Sequence, residues 1–260
     1  MVRVNGPAEL APSRAGQATL EAGLLLIVAA GAWAGTVLLA RGMAGMSGTM
    51  GLGLAAFVLV WTLMMAAMML PSVTPLASLY ARTVQSNRMA RIAALVAGYL
   101  AVWALAGVPA FGLAWLAGWM TGKHAGAAHV LAVAVFAACG VYQLSRLKDR
   151  CLAHCRSPIA LLLHYGSYRG RTRDLRTGAH HGAYCLGCCG ALMVILVAVG
   201  VMNVAAMVGL AAVVLVEKTW RWGVVAGRVF GVAALGLAVA IIWLPWLAPG
   251  LHAAPSMMMG

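Results

Sequence analysis

"GLGLAAFVLVWTLMMAAMML", residues 51–70, is a run of twenty residues without a single charge. A helix of about 20 predominantly apolar residues crosses a bilayer core of about 30 Å, so this stretch reads as a membrane span. It is not alone. Comparable runs occur at Leu20–Ala40, Ile92–Met120, His129–Ser145, Cys189–Val216 and Val224–Leu247, and the quoted one is expected to cover Leu52–Leu70 and to stop at Pro71. Pro109, with Gly107 and Gly112, is expected to kink the long third run. Gly200 marks a bend or break in the fifth.

Composition agrees. Of 260 residues, 63% are hydrophobic and 9% charged, and the mean hydropathy is +0.93. Soluble domains carry roughly 25% charged residues. The expected fold is therefore all-α, a polytopic transmembrane bundle of about six spans. Residues 1–19 are a cytoplasmic N-terminal segment, 20–247 a single transmembrane domain, and 248–260 a Met-rich tail. Pro7, Glu9, Pro12 and Gln17 precede the first apolar run, which is read as a retained helix rather than a cleaved signal.

The net charge of +13 does not point to nucleic acid, because the basic residues sit between apolar runs. With six spans, one side holds thirteen Lys and Arg: Arg3, Arg14, Arg82, Arg88, Arg91, Arg146, Lys148, Arg150, Arg156, Arg169, Arg171, Arg173 and Arg176. The other holds four, Arg41, Lys123, Lys218 and Arg221. The positive-inside rule then puts both termini and the 146–188 loop in the cytoplasm of a bacterial inner membrane. If the fifth run is two spans, only the C-terminal part inverts. Basic loops of this kind also meet anionic headgroups, so the lipid bilayer is the expected partner.

The 146–188 loop and the residue after it hold five of six cysteines and four of seven histidines. "CLAHCRSP" carries Cys151 and Cys155, which face one way if helical. "HHGAYCLGCCGALM" adds His180, His181, Cys185, Cys188 and Cys189, with Cys185 and Cys188 in the C-x-x-C spacing by which a tight turn grips an ion. Cytosolic thiols stay reduced, which disfavours a disulfide, and the local arginines favour the thiolate. Cys139, alone in a span, reads as a small buried apolar side chain. Metal ligands are therefore expected at Cys151, Cys155, Cys185, Cys188 and His181 first, then His164 and Cys189. Sulfur with imidazole suits copper(I), zinc or an iron–sulfur cluster.

Sixteen methionines add thioethers. Met64 with Met68, and Met65 with Met69, make two neighbouring stripes one helical turn apart. They read either as packing or as soft ligands that favour copper. Cys189, Met193, Leu196, Gly200, Asn203 and Met207 step along one face of a continuous helix, with Met202 beside it. Met43, Met46 and Met50 lie in a loop on the side away from the cysteines. Asn203 is a polar group in an apolar helix, either an interhelical hydrogen bond or a functional contact. Glu217 and Lys218 read as a self-neutralising surface pair or as an ion gate. No P-loop, nucleophile elbow or dinucleotide fingerprint is present, and the spans contain no mid-membrane carboxylate of the kind proton-coupled transporters use.

In order, "MMAAMMLP" (64–71), "CLAHCRSP" (151–158), "HHGAYCLGCCGALM" (180–193), "GVMN" (200–203), Met207 and "EK" (217–218) resemble the bacterial family of predicted metal-binding integral membrane proteins, long catalogued as a domain of unknown function. The resemblance covers about residues 50–220. It matches at Cys151, Cys155, Arg156, His164, His181, Cys185, Cys188, Cys189, Met193, Met202 and Asn203; where the family usually has tryptophan after the paired cysteines, Gly190 stands here. The resemblance implies metal binding in a membrane and leans toward copper handling. Delivery or transfer of Cu(I), to or from another membrane or metal-carrier protein, is thus the leading expectation. A copper-dependent membrane oxidoreductase or monooxygenase subunit, or a zinc-stapled assembly subunit, are the alternatives.

Overall fold

The computed structural model describes residues 14–43, 46, 48–84, 86–157, 165, 166, 168 and 170–251. Its helices are α1 (Arg14–Met43), α2 (Leu54–Thr83), α3 (Arg88–Lys123), α4 (Ala125–Gln143), α5 (Arg146–Cys155), α6 (Arg173–Val199), α7 (Val204–Thr219) and α8 (Gly223–Trp243), with no strand among the described residues. Six of them (α1, α2, α3, α4, α6 and α8) are long and apolar enough to cross a membrane. The all-α, multi-span architecture expected from hydropathy is the one observed.

Three boundaries differ from that expectation, each for a physical reason. The second helix does not stop at Pro71 but runs on through Pro71 and Pro75 to Thr83. Beyond the prolines Val73, Leu76, Ala77, Tyr80 and Ala81 are buried, so packing holds the helix on, while the hydroxyls of Ser72, Thr74 and Ser78 turn back onto the carbonyls of Met69, Leu70 and Thr74. Much of the 146–188 loop is also helical. Ser145 caps α5 by accepting from the Lys148 amide at 3.2 Å, and α6 starts at Arg173, so the C-x-x-C pair lies on a helix and not in a tight turn. Finally, the fifth run is broken in two. Gly200 takes φ 109 and ψ 121, a backbone state that side chains oppose, and Asn203 then caps α7 by accepting from the Ala206 amide at 3.0 Å. Asn203 is thus a helix cap outside the apolar helix body, and Met207 does not continue the Cys189–Met193 face but sits on the returning helix.

That break reverses the chain. α6 leads away from the cysteine end and α7 leads back, because Arg156 at the end of α5 donates to the carbonyls of Glu217 (2.7 Å), Trp220 (2.7 Å) and Arg221 (3.2 Å). Then α8 leaves again, and Gly250 lies so close to Gly200 and the Val197 carbonyl that it has no room for a side chain. The described C-terminal end, residues 244–251, therefore sits at the opposite end of the bundle from the cysteines, not beside them as the six-span count expects. Lys218, Arg221 and Arg228 instead lie at the cysteine end, against Cys185, Arg156 and Asp149, and Arg41 and Lys123 stay opposite.

Glycine sets the contact that matters most for the site. A methyl group on Gly178 of α6 would overlap the Leu95 carbonyl of α3, and one on Gly98 would overlap the Leu175 carbonyl. Small residues let two helix backbones touch in an apolar setting. The start of α6 is further tied to its neighbours by Asp174, which takes two hydrogen bonds from Arg91 at 3.0 Å and one from the Tyr80 hydroxyl.

Candidate metal centre

With α3 and α6 in backbone contact, Tyr99, next to Gly98, lies level with Cys185, and its hydroxyl is 2.9 Å from that sulfur. On α6, His181, Cys185, Cys188, Cys189 and Met193 all turn inward and are buried. The sulfurs of Cys185, Cys188 and Cys189 lie within 4.8 Å of one another, and Cys188 and Cys189 are 3.2 Å apart. From α5, the Cys155 sulfur comes to 3.7 Å from Cys188. So two stretches distant in sequence converge, as the ligand reading requires.

The arrangement fits one soft ion. All six cysteines are free thiols, and the cross-helix spacing of 3.7 Å far exceeds a disulfide bond of about 2.05 Å. Two sulfurs bound to one ion at about 2.3 Å each lie at most about 4.6 Å apart, a limit that both measured pairs meet. His181 adds a nitrogen. Its ring is 2% exposed and stacks on Tyr99, and Nδ1 has no hydrogen-bond partner among the described residues. A buried, unsatisfied imidazole nitrogen one turn from Cys185 is poised to accept an ion.

Cys151 stands apart from this group. It is partly exposed, one turn before Cys155 on α5, and its sulfur fills the notch left by Gly187, where a methyl group would come within 2.7 Å of it. Burial pushes its thiol above the ordinary value, against the thiolate-favouring role expected of the nearby arginines. His154 stacks on Tyr184 with ring centroids 3.6 Å apart, and His180 packs edge-on to both. His164 lies outside the described residues.

The expected Glu217–Lys218 pair does not form, because adjacent residues on a helix point apart. Glu217 is fully buried and accepts from Lys148 at 2.6 Å and from Gln143 at 3.0 Å. Lys218 turns the other way and donates to Cys185 (3.0 Å) and to Ser72 (3.1 Å). Ser72 in turn donates to the carbonyl of Met69, which joins the methionine helix to the sulfur cluster. Met64, Met65, Met68 and Met69 are all buried, and they share one apolar core with Cys185, Cys188, Cys189, Met193, Met202 and Met207. Cys139 is buried alone on α4.

Sequence reasoning missed Tyr99, Lys148, Gln143 and the role of Arg156. Only "AGYL" offered a signal, since a glycine beside an aromatic suggests close helix approach. Nothing in the string singles out Lys148 among the basic residues of its loop.

Fold and centre together define a helical, multi-span metal-handling protein with a buried cysteine pocket near one end. The comparison with known families makes this particular: residues 58–241, more than half of the chain, match the family described as PpoB2, copper chaperone, and the chain belongs to that family. No curated protein and no solved structure matches it.

Proposed function

We propose that this protein sits in the bacterial inner membrane with its cysteine end in the cytoplasm and binds Cu(I) there for delivery to an acceptor. The observation that carries this reading is the convergence of Cys155 with Cys185, Cys188 and Cys189 in a member of a copper-chaperone family. Soft thiolates select a soft ion, and His181 completes the set. The basic residues gathered at the cysteine end support the cytoplasmic orientation.

The sulfurs form a graded series. Cys151 and Cys155 are half-buried at the rim, with Cys155 bridging to Cys188, and the α6 trio is buried. Cu(I) passes along such a series by ligand exchange, one sulfur replacing another without change of oxidation state. The buried methionines of α2 supply weaker thioether ligands toward the opposite end, where Met43, Met46 and Met50 lie. A second reading, a closed zinc site that fixes the two helices, is favoured by the presence of a fourth sulfur.

Elemental analysis of the detergent-purified protein distinguishes them. The copper reading expects about one equivalent of Cu(I) in the wild type after anaerobic loading, lost in a Cys185→Ser/Cys188→Ser variant. Tightly held zinc that excess Cu(I) does not displace overturns it.

A further inference from the structure

Four sulfurs and an imidazole do not by themselves reject zinc. Cys155, Cys185, Cys188 and Cys189 could meet a tetrahedral ion as well as a soft monovalent one. What distinguishes this cluster from an ordinary zinc site is a cation already inside it. The Lys218 ammonium is 3.0 Å from the Cys185 sulfur and is held on its far side by Ser72 at 3.1 Å, with Ser72 fixed in turn on the Met69 carbonyl at 2.8 Å. The lysine has no carboxylate partner among the described residues; Glu217, its neighbour in sequence, is engaged with Lys148 on another face.

We propose that Lys218 is the residue that makes this thiolate pocket select a monovalent over a divalent ion. The inference rests on the copper reading and specifies how that site chooses its cargo. An ion bound to Cys185 necessarily lies within a few ångströms of the ammonium. Their repulsion scales with the charge on the ion, so it is twice as large for Zn(II) as for Cu(I), and the apolar surroundings keep it from being screened away. The ammonium also balances one thiolate charge in the loaded pocket, which leaves less negative charge to hold a dication. Ser72 and Tyr99 position the pair. Ser72 keeps the lysine from swinging to water, and Tyr99 holds the sulfur from the α3 side.

The test is a pair of competition titrations on the full-length protein in detergent, with Cu(I) and Zn(II) each buffered by chelators. Lys218→Met removes the charge, and Lys218→Arg keeps it. In Lys218→Met, affinity for Zn(II) relative to Cu(I) rises by at least about tenfold; in Lys218→Arg the ratio stays at the wild-type value. Circular dichroism and gel filtration confirm folding, and Lys218→Gln takes the place of Lys218→Met if the latter does not fold. An unchanged ratio in the neutral variant, or loss of discrimination in the arginine variant, overturns the proposal. Failure of the wild type to bind Cu(I) at all overturns the copper reading instead, so the two are separable.

Discussion

Cys155 of α5 and Cys188 of α6 face each other with their sulfurs 3.7 Å apart, although 33 residues separate them in the chain. The contact exists because α5 is held down at both ends. Lys148 pairs with Glu217 at its start, and Arg156 grips the carbonyls at the end of α7. The two sulfurs nevertheless have different environments. Cys188 is buried within the α6 trio, whereas Cys155 is half-exposed at the rim. Cys188→Ser is therefore expected to abolish Cu(I) binding at micromolar protein. Cys155→Ser keeps one binding site but raises Kd by at least about tenfold, or about 1.4 kcal/mol. Equal loss in both variants would show that α5 is an obligatory half of the site.

Cys151 behaves differently because its sulfur sits in the notch at Gly187. Its thiol is held above the ordinary value by burial, so it is neutral at physiological pH, and the thiolate fraction grows only as pH rises past the usual thiol range. Alkylation at Cys151, followed by peptide mass spectrometry, is expected to be slow at pH 7 and to be still rising above pH 9.0, the ordinary midpoint. Cys151→Ser should leave metal stoichiometry intact and slow transfer to a soluble chelator. A fast reaction at pH 7 would mean that the surrounding arginines outweigh burial after all.

Helix contact at Gly178 tests how the pocket is positioned. Alanine there would overlap the Leu95 backbone, so neither a rotamer change nor a small shift of one side chain relieves it. Gly178→Ala is expected to destabilise the protein by about 1–3 kcal/mol or more, seen as a lowered Tm in detergent with loss of metal binding. Gly209, on α7, has open space around it. Gly209→Ala should leave Tm unchanged or slightly raised, since alanine is the better helix former.

Much of this was readable from residue order alone, and the exceptions share a cause. Six apolar runs announce six long helices, because hydropathy is a local property. The Cys151/Cys155 spacing predicts a shared helix face, and α5 delivers it. C-x-x-C does not announce its backbone, however, since i and i+3 are neighbours both in a tight turn and on a helix. Nor does Pro71 announce a continuing helix, because what carries the helix past it is the burial of Val73, Leu76, Ala77 and Tyr80 against neighbouring helices. The reversal at Gly200 is the costliest ambiguity. Gly200 is visible in the string as a possible break, but only the packing of Gly250 against it and of Arg156 against residues 217–221 decides that the chain returns. That one decision moves Lys218 from the far side of the membrane to the centre of the site. Lys148 was invisible for the same reason, and Tyr99 was marked only by the glycine beside it, since their partners lie 69 and 86 residues away.

Lys148 and Glu217 form an ion pair with both side chains almost wholly out of solvent, at 1% and 0% exposure. Removing one member leaves the other charge buried and uncompensated, which typically costs about 3–5 kcal/mol, while apolar replacement of both is often neutral. Lys148→Met alone is expected to lower Tm markedly and to loosen α5, so that Cys155 alkylates faster. The Lys148→Met/Glu217→Leu double variant should recover most of the lost stability. Additive losses in the double variant would instead assign the pair a role that apolar packing cannot replace, and Gln143, which also donates to Glu217, would be the next residue to examine.

The path of the chain makes a topological prediction that the six-span count contradicts. If α7 returns to the cysteine end, residues 244–251 emerge opposite the N-terminal end of α1, and the basic residues Lys218, Arg221 and Arg228 join the cysteine side, which the proposed orientation makes cytoplasmic. The positive-inside asymmetry then becomes steeper, which is the direction expected of a correct assignment. A green fluorescent protein fused ahead of residue 1 should fluoresce. The same reporter fused after residue 260 should be dark, and alkaline phosphatase at that position should be active. Fluorescence from both fusions would place α7 and α8 on the wrong path and detach Lys218 from the metal site, because a lysine at the far membrane surface cannot reach Cys185.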